Sequence, residues 1–136
     1  MMTPQIAFDD APAGYRPGAC NIGSAEIARR RRFGLIGLVG SALLALALVA
    51  AGAPPIMRFL VALPVAGSAI GLIQARLRFC AAFGIAGLRN FGPLGGEEHV
   101  AEAAARRADR AMALRILAAG SLVGLAAGLV LALIPR

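Results

Sequence analysis

Residues 33–53 read FGLIGLVGSALLALALVAAGA, and no charged side chain interrupts them. Arg29, Arg30, Arg31 and Arg32 stand directly in front of them. At 1.5 Å per residue a helix of this length reaches roughly 30 Å, the thickness of a bilayer's hydrocarbon core. The stretch therefore predicts a transmembrane helix with a basic flank at the lipid headgroups. Further apolar runs occur at 59–73, 79–88 and 116–134. The 136-residue chain is 59% hydrophobic, with a mean hydropathy of +0.75, where a soluble domain is about 45–50% apolar. That excess, gathered into runs, predicts a polytopic membrane protein. The polar remainder is too short and interrupted to bury a core alone.

Working outward towards the N-terminus, residues 1–23 (MMTPQIAFDDAPAGYRPGACNIG) are rich in Pro, Gly and small residues. They predict an irregular arm that would need a partner to lie against, through Ile6, Phe8 and Tyr15. Ser24 is the expected helix cap, with Glu26 in the first turn facing the helix dipole. A helix from about residue 25 would then continue into the first span. An export signal is a poor alternative. The stretch before the apolar run is far longer than a signal's basic leader, and the product of cleavage would itself be a membrane protein.

Towards the C-terminus, Ala53–Pro54–Pro55 ends the first helix, since a residue before proline is pushed out of the α region. A second span returns over 56–73, with Arg58 snorkelling at its outer end and a kink near Pro64, Gly67 and Gly71. Residues 79–88 are apolar but too short to cross, so an interfacial segment is expected. Residues 91–96 read as loop. From Glu97 to Arg115 the alanine-rich sequence predicts an amphipathic helix, with Glu97 and Glu98 at its start and a Glu102–Arg106 pair. It should run unbroken into the third span, 116–134. The expected fold is thus all-α with three spans and a helical cytoplasmic extension of the third. The expected segments are an arm (1–23), a two-span hairpin (24–90), and a loop, amphipathic helix and third span (91–136).

All fourteen basic residues are arginines, and the net charge is +7. Arg29, Arg30, Arg31, Arg32, Arg76, Arg78, Arg106, Arg107 and Arg110 sit beside the spans, with only Arg58 and Arg136 on the opposite side. The positive-inside rule then places the N-terminus in the cytoplasm and the C-terminus in the periplasm of a bacterial inner membrane. The arginines would meet anionic lipids. They lack interleaved aromatics, so no nucleic-acid partner is expected.

Gly120, Gly124 and Gly128 make two overlapping GxxxG steps; Gly67 and Gly71 lie on the second span and Gly37 on the first. In a bilayer such residues let helices approach closely. They predict packing, either within the chain, with other membrane subunits, or with further copies in a homo-oligomer. His99 is the only histidine and falls in a polar segment, so haem ligation at membrane depth is not expected. The spans hold no Asp, Glu, Lys or His, which argues against a transporter or pump. No metal-ligand cluster, nucleotide loop or hydrolase motif occurs, and no cofactor is expected.

Two cysteines, Cys20 and Cys80, flank the ends of the first two spans at one face of the hairpin. Nearby arginines would favour thiolate, so a two-thiol site is a candidate. Asn21–Ile22–Gly23, Glu26 and Arg30, two spans, then Cys80, Phe83 and Gly87–Leu88 also form a pattern. Over residues 21–90 it resembles the short inner-membrane module of the YgaP transmembrane-domain type. Ala81 stands where that family has proline, Phe83 where it has tyrosine, and no rhodanese domain is present. The resemblance implies a hairpin with cytoplasmic termini and an association with sulfur chemistry, with Cys80 the one residue carried across. The sequence as a whole favours a non-catalytic accessory or assembly subunit. The alternative is a thiol- or sulfur-handling membrane module using Cys20 and Cys80.

Overall fold

The computed structural model describes residues 14–136; the expected contacts of Ile6 and Phe8 lie outside them. The described elements, in order, are α1 (Ser24–Ala50), α2 (Pro55–Phe59), α3 (Ala62–Leu77), α4 (Ala81–Ala86), β1 (Leu88–Arg89), β2 (Glu98–His99) and α5 (Ala103–Leu133). The protein is all-α, and among the described residues the only strands are that two-residue pair. Among the described residues three helices are long and apolar enough to cross a bilayer: Ser24–Ala50, Pro55–Leu77 and Ala103–Leu133. It is a multi-pass membrane protein with three spans.

The chain divides into two compact units, and the division cuts across the boundaries expected at residues 23 and 90. One unit takes the chain up to Arg29 together with Gln74–Arg115; the other takes Arg30–Ile73 with Ile116–Arg136.

In the second unit the spans meet through small residues. Gly34 and Gly71 face each other closely enough that a Cβ on Gly71 would lie 3.4 Å from the Gly34 Cα. A Cβ on Gly37 would collide with the Ser68 hydroxyl. On α5, a Cβ on Gly120 would strike Ile70, and one on Gly124 would sit 2.5 Å from both the Ala62 carbonyl oxygen and the Ala66 Cβ. One on Gly128 would sit 2.7 Å from the Ala62 Cβ. Backbones this close gain dispersion contacts that lipid cannot match. The glycines of α5 therefore pack inside the chain. Gly67 departs from the expectation: nothing lies within 4 Å of its Cβ position, and the same holds for Gly40.

Helix ends follow local chemistry that differs in detail from the sequence reading. Gly52, at φ +65°, terminates α1. The Ala53 N–H reaches the Leu48 carbonyl and the Gly52 N–H that of Val49, a Schellman closure. Pro54 and Pro55 then start α2 rather than stop α1, with Pro55 in the first turn, where its missing N–H costs nothing. The second span is broken at Leu60–Val61. Pro64 has no N–H for the Leu60 carbonyl, so Leu63 bonds that oxygen instead at 3.2 Å and the turn tightens.

Arg58 does not snorkel. It is 2% exposed; Nε donates to the Ala53 carbonyl at 3.0 Å and Nη1 to those of Leu131 at 3.1 Å and Ile134 at 2.7 Å. These oxygens include carbonyls at the C-terminal end of α5, where helical partners run out; that of Leu131 also takes the Ile134 N–H at 3.4 Å. A cation there satisfies them and suits the helix dipole, worth about 1–2 kcal/mol in a part-buried setting.

In the first unit, α5 begins at Ala103, not at Glu97. Leu88 pairs with His99 and Arg89 with Glu98, antiparallel, and the Val100 N–H reaches the Gly87 carbonyl at 2.8 Å. Val100 is thereby buried against Tyr15, Ala105 and Phe91. Burial of a β-branched side chain overrides the helix propensity of 97–102. The expected Glu102–Arg106 side-chain pair is replaced by backbone contacts. The Arg106 N–H bonds the Glu102 carbonyl, and its Nη1 reaches the carbonyls of Val100 and Ala101. Within residues 79–88 the chain forms the short helix α4 (Ala81–Ala86) and enters β1 at Leu88. Phe79, Cys80, Ala81 and Gly84 are buried, and Gly87, at φ +74°, closes α4.

Candidate functional site

The buried polar side chains of the first unit fall into three clamps. Asn21 is buried, donates Nδ2 to the Cys80 carbonyl at 3.1 Å and accepts the Cys80 N–H on Oδ1 at 2.7 Å. Its own N–H bonds the Arg78 carbonyl. This fixes the turn after α3, where Arg78 adopts φ +57°. A non-glycine residue there is strained by roughly 1–2 kcal/mol, so the clamp offsets a local cost.

The second clamp is Asn90. Its Nδ2 donates to Glu26 Oε1 at 3.2 Å and to the Pro93 carbonyl at 2.9 Å, and Oδ1 accepts the Gly92 N–H. Glu26 stands in the first turn of α1, as expected, and is buried there as an acceptor. The helix cap is Gly23 rather than Ser24. Its carbonyl takes the Ile27 N–H, its N–H bonds the Asn90 carbonyl, and a Cβ there would lie 2.8 Å from the Phe91 oxygen.

The third clamp is Asp109, on the buried stripe of α5. Tyr15 Oη donates to Oδ2 at 2.7 Å and the Gly18 N–H to Oδ1 at 2.7 Å. Tyr15 is thus held by its own chain rather than awaiting another subunit. Residues 16–20 form a closed turn in which the Arg16 and Cys20 backbones exchange hydrogen bonds. The Arg89 guanidinium carbon stands 5.1 Å from the centre of the Tyr15 ring, a cation–π contact.

Burial raises the Tyr15 pKa well above its ordinary 10.0; the hydrogen bond to Asp109 and that residue's charge add to the rise, and Arg89 opposes it. Unfolded chains lose this proton near pH 10 while the folded state keeps it. Stability from this group is complete below that pH and falls as pH rises above it. Tyr15 is the only tyrosine and there is no tryptophan, so ultraviolet titration reads this residue alone. Tyrosinate absorbance should stay absent at about pH 10.5 in the folded protein and appear on denaturation. Half-ionisation near pH 10 without unfolding would contradict the clamp.

Neither cysteine is in a disulfide, and both are buried, Cys20 at 7% and Cys80 at 1% exposure. Cys20 Sγ points to the Ile22 carbonyl at 3.8 Å. Asn21 sits beside Cys20 in sequence and clasps the Cys80 backbone, so the structure brings the two cysteine-bearing segments together. Among the arginines expected at headgroups, Arg29, Arg31, Arg32, Arg76, Arg78, Arg107 and Arg110 are exposed, whereas Arg30 and Arg106 are half-buried. His99 is exposed on β2.

Asp109 and Asn90 were not singled out by sequence reasoning. Asp109 lies among Arg106, Arg107 and Arg110 and reads as one member of a solvated charge ladder. The usable signal was its spacing. Ala105, Asp109, Ala113, Ile116, Gly120, Gly124 and Gly128 recur every three or four residues, and all are buried. No family model, curated protein or solved structure matches the chain.

Proposed function

We propose that this chain is a non-catalytic accessory or assembly subunit of a larger complex in a bacterial inner membrane. Its N-terminus would lie in the cytoplasm and its C-terminus in the periplasm, by the arginine asymmetry. One observation carries the reading. The buried polar side chains Asn21, Asn90 and Asp109 direct most of their hydrogen bonds to the chain's own backbone. Such groups build a fixed, arginine-rich surface, which suits a docking body. The glycines of α5 are taken up internally, so other subunits would meet the remaining apolar faces, including the open positions Gly40 and Gly67.

Native mass spectrometry of the gently extracted protein tests this. The expected result is a stoichiometric assembly with at least one different membrane protein. Gly67→Leu, which meets nothing inside the chain, should weaken that assembly without changing the melting temperature. A monomer, or copies of this chain alone, overturns the reading.

The second reading is a thiol- or sulfur-handling module using Cys20 and Cys80; their shared placement around Asn21 is what supports it. Reactive cysteines are normally part-exposed. With both thiols buried, maleimide labelling in mild detergent should run at least about tenfold slower than in denaturant, limited by local opening. Prompt labelling of either thiol in the folded protein would favour the sulfur reading.

A further inference from the structure

The second unit contains a cleft of about 450 Å³, walled by all three spans, with Ala42 and Ala45 on α1, Val61 and Val65 on the second span, and Ala126 and Val130 on α5. The small side chains create the space. The one polar residue in its wall, Ser41, donates its hydroxyl to the Gly37 carbonyl at 2.7 Å. The cleft therefore offers hydrocarbon a surface and offers a polar ligand nothing.

Arg58 stands at one end of it. Val61, in the wall, donates its N–H to the Arg58 carbonyl at 3.2 Å, and Arg58 Nη1 donates to the carbonyl of Leu131, also in the wall, at 3.1 Å. Among the described residues Arg58 Nε and Nη1 have carbonyl acceptors, while Nη2 has none. Residues 30–73 and 116–136 contain no Asp or Glu. Carbonyl dipoles at a helix end amount to roughly half an elementary charge. A buried guanidinium held only by them keeps an uncompensated positive charge in an apolar setting, which calls for an anion.

We propose that this is a binding site for one anionic phospholipid, with its phosphate on the Arg58 guanidinium and one acyl chain in the cleft. The two halves of the site match the two halves of the molecule. An anionic diester supplies the missing charge and accepts hydrogen bonds in the geometry arginine prefers. The chain fills a space that water would occupy only at a cost. The site is independent of whether the protein joins a larger complex.

The test uses the intact protein in detergent, titrated with phosphatidylglycerol or phosphatidylcholine of the same acyl chains and followed by native mass spectrometry. One phosphatidylglycerol per chain should be retained at about tenfold higher affinity than phosphatidylcholine. Arg58→Gln should abolish the preference. Ala126→Leu, which fills the cleft and leaves Arg58 in place, should reduce retention of both lipids while circular dichroism shows unchanged helicity. Equal retention of the two lipids by the wild-type protein overturns the proposal without any variant. So does an Ala126→Leu protein that binds phosphatidylglycerol like the wild type, or an added partner helix that occupies the cleft with lipid excluded.

Discussion

Gly124→Leu should destabilise the helix bundle by about 3 kcal/mol, the upper part of the range for overpacked interiors. The reason lies in what the new side chain would meet. A Cβ at Gly124 stands 2.5 Å from the Ala62 carbonyl oxygen and 2.8 Å from the Ala66 nitrogen. These are backbone atoms, so no rotamer change relieves them, and the helices must part. Parting them also strips the contacts of Gly120 and Gly128 on the same ridge. Thermal unfolding in mild detergent, followed by circular dichroism, measures the effect. Gly40→Leu is the matched control, because its Cβ position has nothing within 4 Å; it should melt like the wild type. If the two variants melt alike, the close crossing is wrong.

Asp109→Ala should cost about as much, in the other unit. It leaves the Tyr15 hydroxyl and the Gly18 N–H without their acceptor. Each orphaned buried donor costs about 1–3 kcal/mol, so a loss of about 3–4 kcal/mol is expected. Asp109→Asn should cost far less, about 1 kcal/mol, because its amide oxygen accepts the Gly18 N–H and its amide nitrogen can donate to the tyrosine oxygen. Hydrogen exchange at the Gly18 amide gives a readout specific to this contact. Protection should vanish in the alanine variant and persist in the asparagine one. An unchanged Gly18 amide in Asp109→Ala would show that the arm is held by something else.

The three spans were legible because length and hydropathy alone decide them. Residues 33–53 carry no charge, and a bilayer admits few structures other than a helix for such a run. Glycine spacing on α5 likewise pointed to close packing, and the structure supplies the partner face, Ala62, Ala66 and Ile70. What stayed hidden depends on residues far apart in the chain. Asp109 receives donors 91 and 94 positions upstream, so nothing in its own neighbourhood distinguishes it from a solvated acid. Arg58 looked like a boundary residue because the carbonyls it caps belong to the end of another helix, 73 and 76 positions later. The start of α5 was misplaced for a related reason. An alanine-rich segment favours helix locally, but Val100 is buried by a pairing with Gly87 and its neighbours that propensity does not weigh.

The clamp on Tyr15 also bears on how the molecule is made. Ribosomes release residues 14–20 early, yet the acid that receives them is added more than ninety residues afterwards. Contacts of such long sequence separation form slowly, since a large loop must close before they repay it. The leading segment must therefore wait, unfastened, while both earlier spans are inserted. Its closure onto α5 waits for Asp109, and a nascent chain stalled before that residue should leave the Tyr15 and Gly18 donors without their acceptor.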